Sequence, residues 1–302
     1  MVFVIIVTYN GENWVDFCLG SLKNSLFPLT TVVIDNNSTD NTVNKIKNEY
    51  PEVIVIENPV NIGFGKANNI GITYALDHGC EYVFLLNQDA CIYSDTISKL
   101  LEIHKDHVDY GILSPIHLDG SGEFLDKNFL MYISVNEARI IADKLIKGYN
   151  SNTPYSIPFI NAAAWLISRS CILDVGGFDP IFPHYGEDED YVRRVINKKY
   201  KVGVCASSFI RHARKQEAID IYTYPRMYVR FLMSIKFSEH NFAKIFFDSQ
   251  KRILIDTLKS ILKLQFKHAV ELIKISFKVF KAYEPIKLHL IQEKASGPKY
   301  LS

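Results

Sequence analysis

Two clusters of acidic and amide side chains carry most of what this sequence says about chemistry. Asn87-Gln88-Asp89 follows the hydrophobic run Tyr-Val-Phe-Leu-Leu. In extended backbone Asn87 and Asp89, two residues apart, point the same way. Oxygen donors of this type suit Mg2+ or Mn2+, particularly when substrate phosphates fill the remaining coordination positions. A polar loop is the plainer reading. Further on, Glu187-Asp188-Glu189-Asp190 opens a helix-like segment. Acids favour a helix N-terminus, which accounts for the run structurally. Four adjacent carboxylates also repel one another, raise the pKa of some members and supply a base for proton abstraction.

The remaining candidates stand at the ends of apolar runs. Thr8-Tyr9-Asn10 closes the first, and Asp35-Asn36-Asn37-Ser38-Thr39-Asp40 closes the second. The last of these residues can cap the next helix. Asp35, at the strand tip, can instead accept a hydrogen bond from a base imino group. Asn61-Ile-Gly63-Phe-Gly65-Lys66-Ala-Asn68-Asn69 places glycines before a helix start, where free backbone N–H groups and a lysine could meet phosphate. It is not the dinucleotide fingerprint, because no strand runs straight into it. His212 ends a short strand-like segment, and a lone histidine is more often structural than a ligand. Trp165 is either core or a stacking surface for a sugar or base.

These residues need a scaffold, and the first third of the chain supplies one. Short β-branched runs alternate with helix-like segments over residues 12–25, 39–48, 63–77 and 94–106, which is βαβα punctuation. Continuous apolar strands of this kind predict a parallel sheet covered by helices, with ligands at the strands' carboxyl ends. After Gly111 the pattern loosens into turn-rich α+β sequence, with strands around residues 156–168 and a helix over residues 187–198. No Gly or Pro occurs between Arg226 and Glu284, and Pro225 and Pro285 bracket that stretch, so long helices are expected there.

Composition narrows the class. At 302 residues, 48% hydrophobic and 22% charged, the chain is long enough for one α/β catalytic unit with a helical appendage. Five cysteines without a C-x-x-C pair indicate neither a disulfide framework nor a zinc knuckle, and a reducing cytoplasm is expected. No stretch reaches the roughly 18–20 apolar residues of a spanning helix. The formal charge of +1 divides into −8 over residues 1–212 and +9 over residues 213–302.

Taken in order, VTYN, DNNSTD, NIGFGKANN, LLNQDA, NAAAWLISR, GGFD and GEDEDYVRR resemble the inverting glycosyltransferases of family 2, over residues 2–212. The resemblance implies the GT-A fold, a Rossmann-like α/β domain with a nucleotide-binding half over residues 1–110 and an acceptor half over residues 111–212. It implies that Thr8, Tyr9 and Asp35 hold the nucleoside, and that Asn61, Gly65, Lys66 and Asn69 approach the diphosphate or base. Asn87 and Asp89 match the family's D-x-D metal motif. Because asparagine replaces the first acid, Asp89 is left as main ligand and Asn87 binds ribose or metal. Asp188 matches the general base, Glu187 and Asp190 shape the acceptor site, and His212 falls where some members place a further metal ligand; Trp165, if it is not core, is placed by its stacking face at the acceptor site. The subgroup resembled transfers rhamnose or galactofuranose from dTDP- or UDP-sugars onto bacterial surface polysaccharide or lipid-linked glycan.

Residues 213–302 are expected to form a basic amphipathic extension. If residues 252–281 make one helix, its lysines gather within a sector of about 100° beside an apolar stripe, the pattern of a helix on an anionic membrane. Packing against the catalytic domain or a second subunit, as in a homodimer, is the alternative. Nucleic acid is disfavoured, since the first 212 residues are acidic and carry no recognised motif. A nucleotidyltransferase would need a glycine- and basic-rich loop after the first strand. A non-catalytic carbohydrate-binding protein would fit Asn87 but not the intact acidic run.

Overall fold

The computed structural model describes residues 1–133, 152–214, 223–238, 241–294 and 297–301. β1 (Val2–Thr8), β2 (Leu29–Asp35), β3 (Ile54–Glu57) and β4 (Tyr82–Asn87) pair in parallel in the order β3-β2-β1-β4. Side chains of a strand alternate between its two faces. Phe3 and Ile5 accordingly pack toward α3 (Phe64–Asp77). Val4 and Ile6 pack toward α1 (Val15–Lys23), α2 (Thr42–Glu49) and α4 (Thr96–Asp106). Both faces are covered, which is why these strands read as unbroken apolar runs.

Beyond β4 the sheet becomes mixed, in keeping with the α+β reading of the second half. β8 (Ala164–Ser168) runs antiparallel to β4, and β6 (Tyr110–Asp119), β9 (Lys201–His212) and β5 (Ala90–Ile92) continue the sheet, with β7 (Tyr155–Ser156) on β9. β6 is the strand the sequence hid. Gly111 and Pro115 lie inside it, and the β6–β9 register shifts beside both of them. Proline removes a ladder hydrogen bond and is tolerated at such bulges. Among the described residues this body also holds α5 (Lys127–Ile133), α6 (Arg169–Val175) and α7 (Glu187–Asn197).

The helices that follow are α8 (Tyr224–Lys236), α9 (Phe242–Leu262), α10 (Phe266–Lys281) and α11 (Tyr283–Lys294). Long helices form here as expected, but residues 252–281 are not one helix, because the chain reverses at residues 263–265 with Leu264 at φ 55. Val229 and Leu232 of α8 pack with Ile253 of α9 and Leu272 and Val279 of α10 in a core cluster of their own. That cluster reaches the body through Phe182. The last described residues also return to it. The Gly177 N–H donates to the Lys299 carbonyl at 2.7 Å, and a Cβ on Gly176, at φ +87, would stand 2.2 Å from that oxygen.

Candidate active site

The site is built at the carboxyl ends of β1, β2 and β4, where β1 lies between its two parallel neighbours, the end of an open α/β sheet at which ligands bind. Thr8 and Asp35 are register partners at the tips of β1 and β2. Thr8 Oγ1 donates to Asp35 Oδ1 at 2.9 Å, and the Ser38 N–H and hydroxyl donate to the same carboxylate at 2.8 and 2.6 Å. Asp35, 2% exposed, therefore holds the Ser38 turn and joins two strand tips. Asn36 does the same for the next loop, accepting from Asn58 Nδ2 and the Ile62 N–H, each at 3.1 Å. Tyr9, just past the tip of β1, is exposed. Its backbone is clamped by the Gln88 amide, which accepts from the Tyr9 N–H at 3.0 Å and donates to the Tyr9 carbonyl at 3.3 Å.

Asn61 Oδ1 accepts from the Gly63 N–H at 3.0 Å and shapes the entry to α3. Gly65 is buried in the first turn, where a Cβ would stand 3.0 Å from Phe178 Cβ. Lys66 is exposed on that turn, with no ion pair among the described residues.

Asn87, Asp89 and His212 do come together. His212 Nε2 lies 3.2 Å from Asp89 Oδ1 and 3.5 Å from Asn87 Nδ2. The pairing of β5 with β9 sets this approach, since Ala90 is register partner to His212. Burial raises the Asp89 pKa, but the hydrogen bond and charge of His212 outweigh that and hold the carboxyl below its ordinary range. His212 is 1% exposed, and its Nδ1 has no partner among the described residues. An imidazole and a carboxylate oxygen suit a divalent ion. Cis donors on a six-coordinate ion with bonds of about 2.1 Å stand about 3.0 Å apart, so the 3.2 Å separation fits with little adjustment. Rotating the Asn87 amide would present its oxygen to the same point. Beside them Arg214 pairs with the buried Asp126, and its charge helps to keep Asp89 ionised.

The acidic run starts α7, after Tyr185 and Gly186, both in the left-handed region at φ 68 and 83. A Cβ on Gly186 would lie 2.7 Å from Val229, so the turn also needs the missing side chain. Asp188 is half-buried, and its Oδ1 accepts from the Glu189 N–H at 2.9 Å. Burial pushes its pKa up to about 6, against backbone N–H groups that include that of Ala162. Glu187 is buried with Oε2 unpartnered among the described residues; burial and the Asp188 charge push it up to about 8. The carbonyl of Ala163 accepts from the Asn87 N–H at 3.0 Å. Ala162 and Ala163 are consecutive residues leading into β8, so this segment runs between the Asn87 backbone and the start of α7.

Three expected site residues are elsewhere. Asn69 is buried and spent on backbone: it donates to the carbonyls of Phe178 and Tyr300 at 2.8 and 3.0 Å and accepts from the Phe178 N–H at 2.7 Å. Trp165 is fully buried on β8, stacked on Phe178 with centroids 6.1 Å apart and tilted against Tyr191, so it is core and not an acceptor platform. Asp190 is fully buried in an ion network. Lys236 of α8 reaches Asp190 at 2.7 Å, Glu293 at 2.8 Å and Asp179, while Arg194 and Arg193 contact Asp190 at 2.8 and 3.2 Å. Asp179, Asp190 and Glu293 converge closely enough to hold a metal, but the lysine ammonium already occupies their centre. Gln88, Arg214 and Lys236 had no sequence signal beyond their charge or amide, because their partners are remote in the chain.

Residues 3–176 match the family model described as glycosyl transferase family 2. The dTDP-rhamnosyl transferase RfbF of Shigella flexneri is 26% identical over 228 residues, 73% of this chain and 71% of that protein. The O-antigen chain rhamnosyltransferase WbaN of Salmonella anatum is 26% identical over 70% of this chain and 65% of its own length. The chain thus spans about two thirds of the length of these relatives. Among solved structures, the mannosyltransferase PcManGT from Pyrobaculum calidifontis, in complex with GDP-Man and Mn2+, superposes with a TM-score of 0.56 at 16% identity, covering 97% of this chain and 88% of that one. GalNAc-T7 with UDP, GalNAc and Mn2+ gives a TM-score of 0.56 at 15% identity over 80% of this chain and 51% of that one. With the family model matching more than half of its length, the chain belongs to glycosyl transferase family 2.

Proposed function

We propose that this chain transfers a deoxyhexose, in the first instance rhamnose from dTDP-rhamnose, to a hydroxyl of a glycan or lipid-linked glycan, with inversion at the anomeric carbon. The observation that carries this reading is the convergence of Asn87, Asp89 and His212 just beyond the tip of β4. The names of the relatives favour rhamnose. Residues 1–212 act as the catalytic body and residues 213–302 as its helical extension.

In this account Tyr9, with the Thr8–Asp35–Ser38 floor beneath it, frames the nucleoside, and Lys66 with the first turn of α3 faces the diphosphate. Asp89 and His212, with Asn87, would hold Mg2+ or Mn2+. A divalent ion bound there supplies neutralisation of the diphosphate charge. Asp188 takes the acceptor hydroxyl proton on its carboxylate as the acceptor oxygen bonds to the anomeric carbon and the bond from that carbon to the diphosphate oxygen breaks. Its pKa, raised to about 6, leaves it ionised at neutral pH yet more basic than an ordinary aspartate. Glu187, protonated at neutral pH, spares Asp188 a neighbouring charge.

The test is NMR of the product of dTDP-rhamnose and an acceptor glycan. A rhamnoside of opposite anomeric configuration to the donor, absent with Asp188→Asn, supports the reading. Retention of configuration, or undiminished turnover by the variant, overturns it.

A further inference from the structure

The outer face of the α9–α10 hairpin is apolar, exposed and unpartnered among the described residues. Leu254, Leu258 and Leu262 on α9, and Phe266, Phe277 and Phe280 on α10, are each more than half exposed, with Leu262 at 83%. At 100° per residue the exposed apolar residues of α10 fall within about 80° of arc, roughly 150° from the buried Leu272, Ile275 and Val279. The stripe on α9 stands in the same relation to Ile253. Both stripes therefore look away from α8, against which the hairpin buries its other face.

Lysines border the stripe. Residues 242–281 carry nine Lys and Arg against three Asp and Glu. Arg252, Lys263, Lys267 and Lys281 make no ion pair among the described residues, whereas Lys274 pairs with Glu271 on its own helix. At the tip, Lys263 and Lys267 flank Leu264, which is 75% exposed. An apolar face of this extent marks an interaction surface. Its basic border selects the occupant. A two-fold contact with a second copy would set one basic rim against another, whereas lipid headgroups supply the missing negative charge and acyl chains the apolar contact.

The hairpin tip also stands beside the acceptor side of the site. Tyr224, at the start of α8, bonds to His268 near the start of α10 at 3.0 Å. Arg226, half a turn further along α8, lies 4.4 Å over the ring of Tyr185, which leads into the turn carrying Asp188.

We propose that the α9–α10 hairpin seats this protein on an anionic lipid surface, with the tip at residues 262–266 dipping among the headgroups and the mouth near Tyr185 turned toward acceptors held at that surface. This is a partly inserted hairpin and not one long helix lying flat. The proposal stands independently of the sugar transferred.

The test is sedimentation of the full chain with phosphatidylglycerol/phosphatidylcholine vesicles and with phosphatidylcholine alone. The chain should pellet with the anionic vesicles only, and less as salt rises. Lys263→Gln/Lys267→Gln should lower the partition about 25-fold, at about fivefold per basic residue. Leu262→Ser/Phe266→Ser should abolish pelleting with its thermal melt unchanged. Equal partition of the variants, or equal binding to both vesicles, overturns the proposal. So does failure to pellet accompanied by a dimer that Leu262→Ser/Phe266→Ser dissociates, which would assign the face to a second copy.

Discussion

Replacing Lys236 by Met tests whether the C-terminal helices are an integral part of the catalytic body. Met keeps the volume of the side chain and removes its charge. Lys236 is fully buried among Asp179, Asp190 and Glu293, with Arg193, Arg194 and His289 as the other basic groups that contact those acids among the described residues. Removing one partner from a buried ion network leaves an uncompensated charge and costs about 3–5 kcal/mol, out of a total stability of about 5–15 kcal/mol for a typical protein. At about 2 °C per kcal/mol for a chain of this size, the melting temperature should fall by about 6–10 °C. Calorimetry at neutral pH reads the change, and Lys236→Met/Asp179→Asn, which removes the orphaned charge as well, should recover part of it. A drop below about 2 °C, or no recovery in the double variant, would refute the idea that this network joins the two parts.

Asp188→Asn should lower kcat by about 10²–10⁴-fold while donor binding by titration calorimetry stays within a factor of two or so, because the amide keeps the shape and cannot take the proton. In the wild-type enzyme kcat should rise with pH along a limb near 6, since activity requires Asp188 deprotonated; a flat profile from pH 5 to 8 would count against it. Glu187 is raised to about 8, so its contribution to stability is full below the ordinary carboxylate range and lost as pH rises through about 8. Thermal melts should show this decline in the wild type and a smaller one in Glu187→Gln. Trp165→Ala should cost about 3–5 kcal/mol of stability by leaving a cavity, with acceptor KM below the melting temperature unchanged; a selective rise in KM would restore Trp165 to the acceptor site.

Much of the site was legible because its side chains sit at the tips of strands whose apolar runs are unmistakable. Thr8, Asp35, Asn87 and Asp89 end β1, β2 and β4 or follow them directly, and the helix at Glu187 begins where the acids begin. What failed was burial. Asn69, Trp165 and Asp190 lie within motifs that resemble the family's, yet their side chains turn inward to the Phe178 backbone, the aromatic core and Lys236. Adjacent residues of one helix face different ways, so Asp188 and Asp190 share a motif without sharing a role. β6 was hidden because its proline is compensated by a bulge set by β9, far away in the chain. The break at Leu264 was equally invisible: a non-glycine residue in the left-handed region gave no local warning.

The central claim is that a metal-assisted nucleotide-sugar site is built on Asp89 and His212. Its most direct test is release of nucleoside diphosphate from dTDP-, UDP- and GDP-sugars with Mn2+, Mg2+ or EDTA, for the wild type and for Asp89→Asn and His212→Ala. Release from dTDP-rhamnose that needs the metal and is lost in both variants is the predicted result; release indifferent to EDTA and to both substitutions would contradict the account.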